Sequence, residues 1–288
     1  GDPAMNNFAR RNLLVFFKDR ATVFFSLLAV FIIIGLYVLF LGDVWSSGFT
    51  GMSGVRYLMD SWIMAGVLAV TSVTTTMGAF GTMIDDKSRK ISKDIYVAPL
   101  SRSSITGGYI VSSFVIGVIM SLITLVLAEL YIVLYGGALL ALSALLKVLG
   151  LIVFSTFANM SLILFLVSFF RSNNAFASAS TIIGTLIGFL TGIYLPIGQL
   201  PTPVQWVIKL FPVSHSAALF RQVMMADAAS ATFSGAPAEV VRRFNESMGV
   251  FFSLGKTEVT PLMSIAYMLI SAVIFYTLAG LNLSRKAK

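Results

Sequence analysis

The sequence predicts an all-α integral membrane protein with six transmembrane helices, and three observations lead to this fold class. Of its 288 residues, 57% are hydrophobic and only 11% are charged, whereas soluble domains carry about 25% charged residues. Several apolar stretches reach the roughly 20 residues that a helix needs to cross a bilayer. The basic residues that give a net charge of +8 lie beside these stretches, which favours membrane orientation over nucleic-acid binding.

Six segments are predicted to cross the membrane. Their approximate limits are 21–41, 58–84, 105–135, 145–170, 176–195 and 261–283. The second and third exceed the required length, so we expect them to tilt or to project beyond the bilayer. Residues 5–288 then form one transmembrane domain, and residues 1–4, which precede Met5, look like a tag remnant.

Lysine and arginine placement predicts the orientation. Six crossings put both termini on one side, and most basic residues outside the long 196–260 segment flank that side, in the N-terminal segment, the 85–104 loop, Arg171 and the tail Arg285, Lys286 and Lys288. The short loops of the opposite side carry only Arg56 and Lys147. The positive-inside rule therefore predicts that both termini are cytoplasmic.

Two charged segments stand out at the predicted cytoplasmic end. Phe8–Arg20, "FARRNLLVFFKDR", is typical of an amphipathic helix in the membrane interface, with Phe16 and Phe17 in lipid; the alternative is an ordinary basic flank of the first span. In the 85–104 loop, Ile91, Ile95 and Ala98 recur at helical spacing, and Pro99 ends the turn. That apolar stripe could fill a groove on a cytoplasmic partner, or the loop could be a solvated linker.

A proline-punctuated segment follows the fifth span. Pro196 and Pro201 end that helix, and Pro212 separates two short helical stretches, Val204–Phe211 and Val213–Met225. This pattern predicts a re-entrant hairpin that dips into the outer leaflet, within an outer segment covering 196–260. Such backbone survives at membrane depth only when protein or a wet cavity surrounds it. The alternative is an amphipathic pair lying on the outer surface.

These features resemble the permease subunit of type-2 ABC exporters. The resemblance rests on the six spans, the N-terminal helix, "APLSRSSI" at 98–105 and "GIYLPIGQLPTPVQWVIKLFPVSHSAALFRQVMM" at 192–225. Such permeases carry a Gly-x-x-x-Pro element after the fifth span, then Leu-Pro, then a Pro leading into an Arg-bearing helix. The matching residues are Gly192, Pro196, Leu200, Pro201, Pro212 and Arg221.

The resemblance implies a mechanism and a set of partners. Two permeases would pair, as a homodimer or with a sister permease, and two cytoplasmic ATPase subunits would bind ATP and Mg²⁺; the homodimer is favoured. The 85–104 loop would hold the coupling helix, with contacts from Arg89, Lys90, Ile91, Asp94, Ile95, Pro99 and Arg102. The hairpin would close the outer end of the pathway through Pro196, Pro201, Pro212 and Arg221. The expected location is a bacterial cell membrane.

The chain itself is predicted to bind no nucleotide, metal or other cofactor. "GVFFSLGKT", Gly249–Thr257, places five residues between its glycines where a phosphate-binding loop needs four. The chain has no cysteine and one histidine, His215, which leaves little for a multi-histidine or thiolate metal site.

Five residues are candidates for the substrate pathway. Asp60 and Glu129 are carboxylates near the outer ends of their spans, where interfacial solvation is the simpler explanation and contact with a cationic substrate group the alternative. Thr75 belongs to the hydroxyl-rich Thr71–Met83 segment, which fits either tight helix packing or a polar pathway. Phe24 and Phe31 could line an amphipathic substrate's route or simply face lipid.

The predicted function is export of a hydrophobic or amphipathic substrate, with a drug or peptide favoured, driven by a separate ATPase. An ion-coupled secondary transporter or channel is the alternative, although it would require ionisable groups near the midplane. A membrane-embedded enzyme is disfavoured, because the predicted spans carry no His, no Cys and no clustered carboxylates,.

Overall fold

The computed structural model describes residues 2–42 and 51–286. Gly1 of the predicted tag remnant and Lys288 of the basic tail lie outside these residues. The described chain is almost entirely helical, with a single two-stranded hairpin. The helices are α1 Pro3–Lys18, α2 Arg20–Ser26, α3 Leu28–Leu36, α4 Val55–Ser88, α5 Ile91–Val97, α6 Arg102–Leu134, α7 Leu142–Val167, α8 Asn173–Leu190, α9 Thr202–Leu210, α10 Pro212–Met224, α11 Ala226–Thr232, α12 Ala238–Ser247 and α13 Pro261–Arg285. A π-helical turn, Tyr37–Leu41, extends α3, a 3₁₀ turn covers Ile197–Gln199, and strands β1 Ser253–Leu254 and β2 Thr257–Glu258 pair antiparallel.

Helix α4 is the centre of the bundle. Its 34 residues give it a length of about 50 Å, and α6, α7, α8 and α10 all pack against it. Close approach depends on small residues: a Cβ on Gly117 of α6 would lie 2.6 Å from Cγ2 of Thr156 and 2.7 Å from Cγ2 of Thr76. The core therefore forms where α4, α6 and α7 cross at the shortest distance that side chains permit.

Four described helices are long and apolar enough to cross a membrane: α4, α6, α7 and α13. A bent pair, Arg20–Ser26 with Leu28–Phe40, gives a fifth. The predicted fifth span corresponds to α8, whose 18 residues begin with a polar half that includes Asn173, Asn174 and Ser178. The all-α membrane fold is thus confirmed, while the count of six crossings stays a prediction.

The first predicted span, 21–41, is not one continuous helix. Its two parts meet at an angle of 45° near Leu27. The Ser26 hydroxyl donates to the Val23 carbonyl oxygen at 2.8 Å, a bond of the kind that bends helices. The bend brings Ser26 against Gly78 of α4, where an added Cβ would lie 2.8 Å from the serine Cβ.

The N-terminal helix α1 exists but is packed differently from the prediction. It ends at Lys18, and Asp19 caps α2 by accepting a hydrogen bond from the Thr22 amide at 3.2 Å. Phe8 and Phe16 are buried in protein, so the expectation that Phe16 lies in lipid is wrong; only Phe17 is exposed. Glycines 107 and 108 of α6 allow this contact, because the side chains of Met5 and Phe8 fill the space where their Cβ atoms would lie.

The two ends of the bundle differ in character. At one end, which we call the α5 end, helix α5 follows the last turn of α4. At the other, which we call the hairpin end, α9 and α10 form two short helices joined at Phe211, and α10 packs against α4, α7 and α13. The predicted helices 204–211 and 213–225 therefore both exist, with limits shifted by one or two residues.

Candidate functional site

A groove of about 840 Å³ runs along α4. The ends of α1 and α2, together with α3, form one wall and α8 forms the other, so the groove lies in the half of the bundle nearer the α5 end. Its volume is within the range of pockets that hold drug-sized ligands. Lining residues include Phe16, Phe25, Ser26, Leu28, Ile32, Thr74, Met77, Gly78, Gly81, Thr82, Phe176, Ser180, Ile183, Gly184 and Tyr194.

The polarity of the groove changes along its length. Most of the wall is apolar, with isolated hydroxyls, but charged residues line its mouth at the α5 end. There the Asp85 carboxylate accepts hydrogen bonds from Arg89 Nε at 3.0 Å and from Asn173 Nδ2 at 3.1 Å. This bridge connects the last turn of α4 to the start of α8. The groove thus offers a charged entrance and an apolar interior, which suits an amphipathic molecule.

The hydroxyl-rich segment of α4 has one face in the packed core and another on the groove. On one side, the buried hydroxyls of Thr71, Thr75 and Thr76 donate to carbonyl oxygens of their own helix at 2.6–2.8 Å. These threonines pack tightly and present no free hydroxyl to a substrate. On the other side, Thr74 and Thr82 line the groove. The packing face and the groove face therefore lie on different sides of the same helix, and the pathway role stays a prediction.

The five predicted pathway residues lie outside the groove lining. The rings of Phe24 and Phe31 stack with their centroids 5.6 Å apart, and both side chains are exposed on the outer surface of the bent span. Their neighbours Phe25 and Ile32 line the groove. Thr75 is fully buried. A role for Phe24, Phe31 and Thr75 in transport stays a prediction. The sequence did not indicate the groove residues, because the bend at Leu27 rotates the apolar face of one part of the first span relative to the other.

The two predicted pathway carboxylates, Asp60 and Glu129, accept hydrogen bonds from other groups of the protein. Asp60 is 1% exposed and accepts hydrogen bonds from Tyr37 Oη at 2.8 Å and Arg56 Nε at 3.0 Å. The expectation that Asp60 is solvated at the membrane interface is therefore wrong. Glu129 accepts from the Leu140 amide at 3.0 Å, and its Oε1 has no partner in the described residues. Arg56 and Asp60 are four residues apart, a spacing at which opposite charges pair on a helix, so this ion pair could have been predicted from the sequence.

Helix α5 is the predicted coupling element. Lys90 adopts a left-handed conformation with φ of 60°, which turns the chain sharply between α4 and α5, and Pro99 follows the helix end. Ile91 and Ile95 are half-buried, and Ile95 packs against the main core. The apolar surface that α5 exposes is instead Tyr96 and Val97, 52% and 86% exposed. A partner would therefore meet these two side chains before the predicted stripe.

The exposed side of α5 also carries the charges that the prediction assigned to docking. Lys90, Lys93 and Asp94 are exposed. Arg102 begins α6, and its guanidinium lies 5.9 Å from the ring centroid of Tyr96. A mixed polar and apolar surface of this kind is typical of a protein contact rather than of a lipid contact.

An ion pair beside α5, between a half-buried guanidinium and a buried carboxylate, was not predicted. Arg11 of α1 binds the Asp86 carboxylate of α4 in a bidentate manner, at 2.6 and 2.9 Å. The Tyr109 hydroxyl of α6 donates to the same carboxylate at 2.5 Å. This cluster joins α1 to the two long helices that flank α5, α4 and α6. Its partners are 75 and 23 residues apart in sequence, so no local spacing indicated it.

At the hairpin end, Arg221 of α10 joins three segments. Its Nη1 donates to the Gly249 carbonyl at 3.1 Å and its Nη2 to the Gly192 carbonyl at 3.4 Å. The guanidinium also lies over the Trp62 ring of α4 at 4.9 Å. The side chain is 1% exposed, so Arg221 does not form a surface contact. It holds the hairpin to α4 and to the segments that contain Gly192 and Gly249. Arg221 lies in the predicted gate region, and its role in gating stays a prediction.

The prolines set where the hairpin elements begin. Pro196 precedes the 3₁₀ turn, Pro201 precedes α9, and Pro212 is the first residue of α10. His215 on α10 is buried, with Nε2 2.7 Å from the Lys209 carbonyl and Nδ1 3.0 Å from the Ser264 hydroxyl. Burial lowers the pKa of His215, because desolvation disfavours the charged ring. Both ring nitrogens of His215 thus have hydrogen-bond partners within the protein.

The fold and the groove define a multi-pass α-helical membrane component with a lateral cavity at one end and a helical hairpin at the other. The family model described as ABC-2 family transporter protein matches residues 46–281, so the chain belongs to that family. It is a type-2 ABC permease subunit, as the motif resemblance implied, and the family implies partnership with an ABC ATPase subunit. The comparison with curated proteins gives no match.

Proposed function

We propose that the chain is the membrane-spanning subunit of an ATP-driven exporter that moves a hydrophobic or amphipathic molecule out of a bacterial cell. In this proposal the chain crosses the membrane six times, with both termini and the α5 end in the cytoplasm. A separate ATPase subunit binds ATP and Mg²⁺ and docks on α5. The permease supplies no covalent chemistry; it changes between states according to its contacts with the ATPase.

The observation that carries this proposal is the continuity between the groove and α5. Asp85 and Arg89 line the mouth of the groove, and α5 begins two residues after Arg89. A force on α5 therefore acts on the wall of the groove through the last turn of α4. The Arg11–Asp86 pair joins α1 to the same turn, so α1 would move with it. An attached motor could in this way change the shape of the groove.

The lining of the groove supports the substrate class. Aromatic and aliphatic side chains make up most of its wall, and Thr74, Thr82 and Ser180 supply isolated hydroxyls. A lining of this composition favours an apolar body with few polar groups. The volume fits a drug-sized molecule or part of a peptide, which are the cargoes that we favour.

The open side of the groove supports a paired assembly. Phe25, Leu28 and Ile32 line the groove and are exposed, and contiguous apolar surface of this kind marks either lipid contact or a partner. We propose a second copy of the chain as that partner, with two ATPase subunits bound below. Membrane lipid covers the remaining apolar surface.

The proposal is tested by purifying the chain with a candidate ABC ATPase from the same genome and measuring ATP hydrolysis in lipid with candidate cargoes. We expect a stable complex whose hydrolysis rises with hydrophobic drugs or peptides. Failure of the complex to form, or cargo movement that follows an ion gradient without ATP, would overturn the proposal in favour of a secondary transporter.

A phenylalanine at position 184 is expected to block the groove. Gly184 lines the groove, and no atom lies within 4 Å of an added Cβ, so a larger side chain can start at this position and extend into the open space. Gly280→Phe is the matched control, because Gly280 of α13 also has open space around an added Cβ and is not among the residues that line the groove. We expect cargo stimulation of ATP hydrolysis to fall roughly tenfold in Gly184→Phe and to stay unchanged in Gly280→Phe. Equal stimulation in both would show that the groove is not the cargo site.

A further inference from the structure

A second cavity of about 690 Å³ lies at the hairpin end, between α7, α10 and α13. The start of α11 and Phe251 complete its rim. It is separate from the transport groove, since the two share no lining residue. Its lining is Ala141, Ser143, Ala144, Lys147, Gly150, Leu151, Phe154, Leu219, Gln222, Val223, Ala226, Asp227, Phe251, Pro261 and Ile265.

The lining combines an apolar floor with two opposite charges. Leu151, Phe154 and Leu219 form part of the floor, and Leu219 belongs to a small core cluster that joins α7, α10 and α13. Lys147 and Asp227 are exposed at the cavity. Within residues 2–42 and 51–286, no ion pair joins either of these side chains to another group. Both charges are therefore available to a ligand.

The position of the two charges fits the depth of a lipid headgroup. Lys147 is the sixth residue of α7, about 8 Å from the start of the helix. Pro261 and Ile265 belong to the first two turns of α13, so the cavity lies where two apolar helices enter the bilayer. At this depth a lysine can extend toward the interface, and its charge attracts a phosphate.

We infer that this cavity binds a membrane phospholipid with a zwitterionic headgroup. The phosphate is placed at Lys147, the amine at Asp227, and an acyl chain against Leu151, Phe154 and Leu219. An anionic phospholipid without an amine would satisfy Lys147 but would meet repulsion from Asp227. Because α10 forms part of the wall, the bound lipid sits between the hairpin and two long helices and helps to hold the hairpin in place.

The test is lipid binding to the purified permease in detergent, measured by native mass spectrometry with phosphatidylethanolamine and phosphatidylglycerol. We expect saturable binding of phosphatidylethanolamine in preference to phosphatidylglycerol. We also expect Asp227→Ala to remove that preference. Equal binding of the two lipids by the unmodified chain would mean annular lipid only and would overturn the inference.

Filling the cavity gives an independent arm of the test. Gly150 lines the cavity, and no atom lies within 4 Å of an added Cβ, so Gly150→Phe is expected to lower phosphatidylethanolamine affinity about tenfold or more. Gly150→Ala and Gly280→Phe are the controls and should bind as the unmodified chain does. Unchanged affinity in Gly150→Phe would contradict the assigned position. Neither arm uses the ATPase, so a negative result leaves the proposed transport function unaffected.

Discussion

Replacing Val97 with aspartate is expected to abolish tight binding of the ATPase subunit. Val97 is the most exposed large apolar side chain of α5, at 86%, and it lies beside Tyr96 on the surface that a docking partner would cover. An unpaired carboxylate in such a contact costs several kcal/mol. We therefore expect the affinity to fall on the order of 100-fold, equivalent to about 2.7 kcal/mol. Titration of the ATPase onto permease in lipid nanodiscs measures the change.

Two matched variants separate docking from folding. Val240→Asp introduces the same charge at an exposed valine of α12, at the hairpin end, and should leave ATPase binding unchanged. Ile95→Asp places the charge on a half-buried side chain that packs against the core, so it should lower thermal stability as well as binding. Similar affinities for Val97→Asp and Val240→Asp would show that α5 is not the docking element.

Replacing Asp86 with alanine is expected to be the most destabilising change at the α5 end. Asp86 is 2% exposed and receives three charge-assisted hydrogen bonds from Arg11 and Tyr109. Its loss leaves a half-buried guanidinium and a buried hydroxyl without their partner. Breaking a buried pair costs about 3–5 kcal/mol, and because the Arg11 side chain is 37% exposed we expect about 3 kcal/mol of unfolding free energy.

The adjacent carboxylate provides the control for this prediction. Asp85 pairs with Arg89, but both side chains are largely open to solvent, at 39% and 69% exposure. An exposed ion pair contributes at most about 1 kcal/mol. Denaturation of Asp86→Ala and Asp85→Ala in the same detergent should therefore differ clearly. If the two variants unfold together, the Arg11–Asp86 pair does not anchor α1.

Local sequence signals predicted the helices at the hairpin end well. Pro212 marks the first residue of α10, Pro237 immediately precedes α12, and Pro261 begins α13. The positions of Pro212 and Pro261 are explained by the preference of proline for the first helical turn, and Pro237 is the N-cap residue of α12. The last predicted span, 261–283, accordingly matches the observed helix Pro261–Arg285 to within two residues.

Contacts between distant segments were not predictable from those signals. The spacing of Ile91 and Ile95 indicated an apolar stripe, but only the packed structure shows that Ile95 faces the protein's own core and that Val97 is exposed. At the bend near Leu27, Ser26 packs against Gly78, more than 50 residues away, and this packing affects which aromatic residues line the groove. The Arg11–Asp86 pair likewise joins residues that are far apart in sequence. Such features depend on tertiary packing, for which a single sequence carries no periodic signal.

The most direct test of the account is the side of the membrane that α5 faces. The chain has no cysteine, so Lys93→Cys, at an exposed position of α5, introduces a unique thiol, and Lys256→Cys does the same at the opposite end. In intact cells treated with a membrane-impermeant maleimide, we expect Lys256→Cys to react and Lys93→Cys to react only after the membrane is opened. Labelling of Lys93→Cys in intact cells, with Lys256→Cys protected, would put the proposed docking helix outside, where no ATPase could reach it.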